Sequence, residues 1–480
     1  MCARNPMIHR GLVSFLLCAS LLEVTAAFSQ VKDPGPRGDP PGAGAPVQGL
    51  SNDQLRFFNT SLSQFTEVEG VTLTSPGNGG LGPTFNGNAC SMCHIQPAVG
   101  GTSPALNPQV AVANLMGATN TLPFFVNANG PVREARFKYH YNRDGEPDRE
   151  NPDGSVHDLF TIAGRSDAPA ACTAAVFPQE DFVRARSEHN LALRIPTPLF
   201  GAGLIENIPD ATILASHAST SAQREALRIR GSPNRSGNDN TISRFGWKAQ
   251  NKSLLIFAGE AYNVEMGVTN ELMPNERGFG GMPPAPACLS NPTPEDGTNF
   301  VPDTTPVDTS QVPSDVQDFA IFIRFLDQPT PACTVSGPSP TCSASIQDGF
   351  AQFNSVGCAA CHTPAMTTPP SGSAGASDFA PAALSGVQVN LFSDLLLHHM
   401  GVGLADGISQ GLAGPDQFRS APLWGVGQRL YLLHDGRTSD LLVAIETHAS
   451  EGSEANTVIA NFNALTPAQQ QDVLNFLRSL

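Results

Sequence analysis

The sequence predicts a mainly α-helical protein of two related halves, with long irregular insertions rich in glycine and proline in the first half. Three recurrences predict it. A short cysteine motif appears as Cys90-Ser91-Met92-Cys93-His94 and again as Cys358-Ala359-Ala360-Cys361-His362. Each copy is followed by one turn pattern, Pro198-Leu199-Phe200-Gly201-Ala202-Gly203 and Pro422-Leu423-Trp424-Gly425-Val426-Gly427. Each half then closes on a similar segment, QDFAIFIRFL over 317–326 and QDVLNFLRSL over 471–480, identical at five positions in ten. Three elements recurring in the same order point to an internal duplication.

Taken in order along the chain, Arg4 and Arg10, an apolar run from Gly11 to Leu22, and Thr25-Ala26-Ala27 have the layout of a secretory signal over 1–27. That run is too short to span a bilayer, and no later stretch reaches the ~18 apolar residues a span needs. The expectation is therefore an exported protein, periplasmic or secreted, without a membrane span. Residues 28–49 include DPGPRGDPPGAGAP, which reads as a flexible linker. The first half then runs over 50–330 and the second over 331–480. The closing helices carry start signals, Pro313-Ser314-Asp315 and Thr466-Pro467, and Val473, Leu474, Phe476, Leu477 and Leu480 form a helical stripe. The boundary falls where Pro, Ser, Thr and Cys replace the apolar pattern, around 328–343. The insertions lie within 100–194 and 210–241.

Composition narrows the function. The 480 residues include 27 Lys and Arg against 43 Asp and Glu, a net charge of −16, with no basic run to neutralise phosphates. This excludes nucleic acid as a natural partner. The 45 Gly and 41 Pro argue for a loop-rich chain, while 40% apolar residues are enough to fill cores. Of ten cysteines, two lie in the signal and four in the repeated motif. The remaining four are Cys172, Cys288, Cys333 and Cys342. Cys333 and Cys342 close a short Pro/Ser-rich loop suited to a disulfide, and Cys172 with Cys288 follows only by elimination. Free buried thiols are the alternative for both pairs.

Cys-x-x-Cys-His is the attachment signature of c-type haem. Two thiols on one helical turn can add to the two vinyl groups, and the adjacent imidazole is then held against the iron. Zinc or a redox dithiol is the competing reading of a lone Cys-x-x-Cys. Two copies, each followed by His on an exported chain, favour two covalent haems on Cys90, Cys93, Cys358 and Cys361, with His94 and His362 as proximal ligands. The expected fold is accordingly two fused cytochrome c-like haem domains.

At these residues the sequence resembles the bacterial di-haem cytochrome c peroxidases, and more closely their exported di-haem oxidoreductase branch. The likeness rests on both haem motifs and on Phe418-Arg419-Ser420-Ala421-Pro422-Leu423, His434-Asp435-Gly436-Arg437 and Asn263-Val264-Glu265-Met266-Gly267. It extends to RIPTPLFGAGLIENIPD over 194–210 and DLLLHHMGVGLAD over 394–406. The resemblance implies reduction of hydrogen peroxide, or its use to oxidise a partner, at the N-terminal haem. A redox-partner protein would supply electrons or serve as substrate.

Position by position, Glu265 falls where those peroxidases keep a distal acid–base glutamate; a solvated surface carboxylate is the alternative. Fourteen residues after His434 the family's distal ligand of the C-terminal haem falls on His448, where methionine is usual. Met400 is the rival ligand. Trp247 stands near the family's inter-haem tryptophan, though Phe245-Gly246-Trp247-Lys248 departs from the usual Phe-Trp-Asp-Gly, and a core aromatic is the other reading. Arg165, Arg194 and Arg419 are candidates to pair with haem propionates. His140, His157, His189 and His217 lack ligand spacing and read as structural or exposed. The resemblance also allows a calcium ion between the domains. The runner-up function is a non-catalytic di-haem electron-transfer protein, in which Met266 could bind the N-terminal iron. Oxygen-dependent cleavage of a larger substrate is a third.

Overall fold

Capped helices frame each half because the residues at their N-terminal ends carry side chains that satisfy the free N–H groups of the first turn. The computed structural model describes residues 31–72, 79–298, 313–335, 341–373 and 381–480. The expected signal at 1–27 lies outside them. Helix α1 (Asn52–Thr66) starts on a Ser51 capping box with Gln54. The motif turn α2 (Cys90–Cys93) follows, then the buried α3 (Leu254–Met266), capped by Ser253. Helix α4 (Asp315–Phe325) is capped by Ser314 and closes the first half. In the second half, α5 (Ala344–Val356) precedes the cysteine motif, α6 (Leu441–Glu446) follows it, and α7 (Pro467–Ser479) closes the chain on a Thr466 capping box. Each N-cap oxygen accepts from the N3 backbone N–H, a contact worth about 1 kcal/mol.

The duplication is visible in three dimensions. Helix α1 packs on α4, and α5 packs on α7. In each repeated turn the first glycine is left-handed, Gly201 at φ 65° and Gly425 at φ 68°. In each, the last glycine lies against the closing helix: a Cβ on Gly203 would meet the Arg324 carbonyl at 2.0 Å, and one on Gly427 the Arg478 carbonyl at 2.3 Å. Arg324 and Arg478 occupy the same place in the repeated segment. The carbonyl of the closing leucine accepts from the turn in both halves, from the first glycine in one (Gly201 N–H to Leu326 O) and from the last in the other (Gly427 N–H to Leu480 O).

The expectation of a mainly α protein is overturned: helix makes up 33% of the chain and strand 12%, and most of the rest is irregular. Glycine and proline interrupt both kinds of hydrogen-bond ladder, and the insertions of the first half carry strands where the repeats carry helices. A three-stranded antiparallel sheet has β1 (Glu134–Phe137) between β2 (Val156–His157) and β3 (Leu191–Arg194), with Glu134 opposite Arg194. In the second half β4 (Leu397–His399) pairs with β5 (Gln417–Arg419), placing His398 opposite Phe418.

The larger core spans α1, α3, α4 and the sheet, and it also takes in Leu391, Leu395, Leu396 and Trp424 from the second half. The smaller core joins α5, α6 and α7 through Phe353, Phe392, Phe462 and Phe476. Residues 33–47, expected as a linker, run across both halves. Asp33 accepts from Arg478 Nη2 at 2.5 Å and from Leu441 N at 2.7 Å. Val47 N–H donates to Phe325 O and Arg37 N–H to Gly427 O. Disulfides join Cys172 to Cys288 and Cys333 to Cys342.

Candidate active site

Each cysteine motif opens on its own cavity. Cys90, Cys93 and His94 line the first, about 1170 Å³ of space, and Cys358, Cys361 and His362 the second, about 1560 Å³. These four thiols are free, whereas the four cysteines outside the motifs are paired. His94 Nδ1 lies 3.0 Å from Gly101 O, and His362 Nδ1 lies 3.1 Å from Phe392 O. A carbonyl only accepts, so Nδ1 carries the proton and Nε2 keeps its lone pair, the tautomer a metal ligand needs. Burial pushes both imidazoles down to about 4, which keeps them neutral.

On the first cavity, α3 presents Glu265. Asn86 Nδ2 donates to its Oε2 at 2.7 Å, and the Asn86 and Gly87 N–H groups donate to its backbone carbonyl. Strand β1 brings Glu134 and Arg136, two residues apart and so on one face, into the same cavity. Arg136 Nε donates to Glu134 Oε1 at 2.6 Å, and the Glu134 and Glu265 carboxyls hydrogen-bond each other. Burial pushes Glu265 well above the carboxylate range, and the negative charge of Glu134 pushes it further. Burial would raise Glu134 too, but the charges of Arg136 and Arg194 together with hydrogen bonds from Glu265 and Arg136 outweigh it and hold Glu134 below its ordinary value. The pair therefore shares one proton, held on Glu265.

Sequence reasoning found Glu265 and missed Glu134, Arg136 and Asn86. The alternation Glu134-Ala135-Arg136-Phe137 was the available signal: a strand with an acid and a base on one face. Met266, next along α3, also lines this cavity, with its sulfur 3.9 Å from Cys90 Sγ.

The second cavity is lined by different groups. His448 sits on the turn after α6, with Nδ1 2.7 Å from Ala444 O, which leaves Nε2 free as in His94 and His362. It is close enough to His362 for the two imidazoles to interact electrostatically. Met400 also lines this cavity. His398 has no free nitrogen: Nε2 is 3.0 Å from Asp394, and Nδ1 is 2.9 Å from Glu454. His434 stacks on Phe418 at 4.4 Å. Arg419 and Arg429 line the wall, both buried, and neither lies within 4 Å of a carboxylate among the described residues. Burial pulls each down to about 10, and the charge of Arg419 adds to the effect on Arg429. Two buried guanidiniums with no carboxylate in direct contact, and only the more distant charge of Asp394 acting on Arg419, suit a dianionic edge such as two haem propionates.

The other two arginines proposed for propionates are engaged within the protein. Arg165 makes a two-pronged pair with Asp167, and Arg194 binds Asp406 at 2.6 Å and Gln410 at 2.7 Å. Trp247 lines both cavities, and its Nε1–H donates to Ile195 O at 2.9 Å. Thiol pairs and ligand-ready imidazoles thus fit a haem in each cavity, and Arg419 and Arg429 suit the propionates of one in the second. Among the described residues no group of three or more His, Cys, Asp or Glu is arranged to hold a metal ion such as the calcium the resemblance allows. No described helix is long and apolar enough to cross a membrane.

The family profile described as "Di-haem oxidoreductase, putative peroxidase" matches residues 156–480. The chain belongs to the di-haem oxidoreductase family. The matched span contains Glu265, Trp247, Cys358–His362 and His448. Cys90–His94 precedes it, so the case for the first haem of this oxidoreductase rests on the cavity geometry. No curated protein matches the chain. Among solved structures, Kuenenia stuttgartiensis hydrazine synthase aligns over 98% of this chain and 100% of its own at 12% identity, with a TM-score of 0.32. That likeness is too loose to carry an argument.

Proposed function

We propose that this oxidoreductase is an exported di-haem peroxidase that reduces hydrogen peroxide, or uses it to oxidise a partner, in the first cavity. Cys90 and Cys93 would hold one haem c and His94 would bind its iron. Cys358 and Cys361 would hold the other, with His362 and His448 to bind its iron and Met400 as the alternative to His448. Bound haem supplies the electron storage and the peroxide-binding metal that no side chain offers.

The observation that carries the reading is the Glu134–Glu265 pair. Reducing peroxide to two waters requires a proton to leave one oxygen and reach the other. Glu265 is already protonated, so it is the donor that turns the departing oxygen into water. Ionised Glu134 is the acceptor behind it: as Glu265 takes a proton from peroxide, its own moves across the shared hydrogen bond. Asn86 fixes the orientation of Glu265, and Arg136 keeps the spare site vacant. The second cavity has no such pair and presents a second imidazole instead, which suits electron storage. Trp247, in contact with both, is the relay.

Two halves, 50–330 and 331–480, would each carry one haem. Export to the periplasm or medium is supported by the basic–apolar–small order of residues 1–27 and by two disulfides. A redox-partner protein would deliver electrons, and the acidic chain favours a basic one. Paramagnetic resonance on the oxidised protein, before and after peroxide, tests the proposal. One high-spin centre that changes with peroxide is expected. Two low-spin centres indifferent to it would make the protein an electron carrier.

A further inference from the structure

Of the chain's four tyrosines only Tyr262 belongs to the buried core, at 2% exposure. It stands on α3, three residues before Glu265, and lines the first cavity beside Cys90. Its hydroxyl points away from Glu265 into a second acidic group. Tyr262 Oη donates to Asp315 Oδ2 at 2.9 Å and lies 3.5 Å from Glu69 Oε1. Asp315 is the first residue of α4, and its other oxygen accepts from Gln64 Nε2. Glu69 is 3% exposed, and its Oε2 has no hydrogen-bond partner.

Burial, with the charges of Asp315 and Glu67, pushes Glu69 up to about 9, so it is a neutral acid near pH 7. Burial also raises Asp315, which makes it a stronger base than an exposed carboxylate. The phenol thus lies between a neutral acid and an ionised base. The rings beside it form a path. Tyr262 meets Phe319 edge-on at 4.9 Å, Phe319 meets Phe65 at 6.2 Å, and Phe65 meets His94 at 6.3 Å.

We propose that Tyr262 is a redox-active tyrosine that gives one electron, by way of Phe319 and Phe65, to the His94 site when peroxide has been consumed there and none arrives from the second cavity. Reduction of hydrogen peroxide takes two electrons and two protons and yields two waters. Tyr262 would give one of those electrons and iron held at the His94 site the other, while both protons reach the oxygens from solvent by way of Glu265. As the electron leaves, the phenolic O–H bond breaks and an O–H bond forms on Asp315, so that a neutral tyrosyl radical faces a neutral acid and no net charge is left in the core. Without that acceptor a buried phenol could lose its electron only by becoming a cation, which burial opposes. The inference rests on the peroxidase reading of the first cavity and extends it from the proton donor to the source of the second oxidising equivalent.

The test is rapid-freeze paramagnetic resonance of the oxidised holoprotein mixed with hydrogen peroxide and no donor, made once with ordinary and once with ring-deuterated tyrosine. The expected result is an organic radical signal that narrows on deuteration and is lost in Tyr262→Phe. Asp315→Asn should shorten its lifetime, and Phe319→Leu should lower its yield while leaving the phenol and its acceptor in place. Haem absorption of each variant reports folding, and the deuterium narrowing needs no variant. Peroxide consumed without a tyrosine signal, or with a signal that survives Tyr262→Phe, overturns the assignment and leaves the peroxidase reading standing. Peroxide left unconsumed by the wild type overturns both.

Discussion

The cavity over Cys90–His94 and the cavity over Cys358–His362 are framed by the same parts and lined by different ones. In both, a helix ahead of the cysteine motif packs on the closing helix, a left-handed glycine turns the chain, and a carbonyl fixes the imidazole tautomer. The difference lies among the remaining wall residues. The first cavity has Glu265 from α3 and Glu134 with Arg136 from a strand that only the first half possesses. The second has His448, Arg419 and Arg429. What duplication preserved is a thiol pair beside an imidazole with its Nε2 free, framed by a left-handed turn and a closing helix. What the insertion added is Glu134 and Arg136, which join Glu265 of α3 in the first cavity, so the proposed proton relay draws on both the repeat and the extra length of the first half.

Replacing Glu265 with Gln should separate the cavities most sharply. It keeps the shape and the Asn86 contact but cannot exchange a proton, and loss of a positioned acid–base group costs about 10²–10⁴-fold in rate. Peroxide turnover should fall by that factor while electron uptake at the second cavity, followed by absorption, stays normal. Turnover within a few-fold of wild type would remove the acid–base role. The reciprocal change, His448→Met, should raise the potential of the second haem in a redox titration, because a thioether favours the ferrous state more than an imidazole does. An unchanged potential would hand the ligand role to Met400.

A finer probe is Glu134→Gln. Glu265 is held protonated partly by the charge of Glu134, and the protonated form is the donor, so activity is lost as pH rises through its pKa. Removing the neighbouring charge, and freeing Arg136 to face Glu265, lowers that pKa. The alkaline limb of the pH–rate profile should move to lower pH by roughly 1–3 units, the usual reach of a close charge. A shift to higher pH, or none, would show that burial alone sets Glu265.

The frame of each cavity was legible in the sequence because its causes are local. Ser314, Thr466 and Pro467 mark helix starts, and Gly201 and Gly425 mark turns that few other residues accept. His448 could be counted from His434, whereas Trp247 stood only near the resemblance's tryptophan with departing neighbours, and the cavities it lines became evident in the fold. Glu134 and Arg136 could not be placed, because β1 exists only by pairing with Val156–His157 and with Leu191–Arg194, the latter more than fifty residues on. Arg194 read as a propionate partner until Asp406, far along the chain, was seen to hold it. The linker reading of 33–47 met the same difficulty: Asp33 and Arg478 are 445 positions apart. Reading two helix-closed repeats as a mainly α protein failed because the repeats are the regular minority of a chain dominated by insertions.

The smallest expected effect tests whether the shared frame is equally tight in both halves. Gly201→Ala and Gly425→Ala each place a Cβ on a left-handed residue, at a cost of about 1–2 kcal/mol. There the likeness ends. A Cβ on Gly201 would meet the buried Trp424 ring at 2.5 Å, whereas one on Gly425 would meet only Pro329 at 3.2 Å. Trp424 belongs to the second half's turn but packs in the first half's core, so Gly201 is where one repeat seats on the other. Overpacking there adds about 1–3 kcal/mol. Urea unfolding should therefore show the larger loss for Gly201→Ala, with the two halves losing cooperativity together. Equal losses would mean that the Trp424 contact gives way freely and that the halves are joined elsewhere, through Arg194–Asp406 and the 33–47 strap.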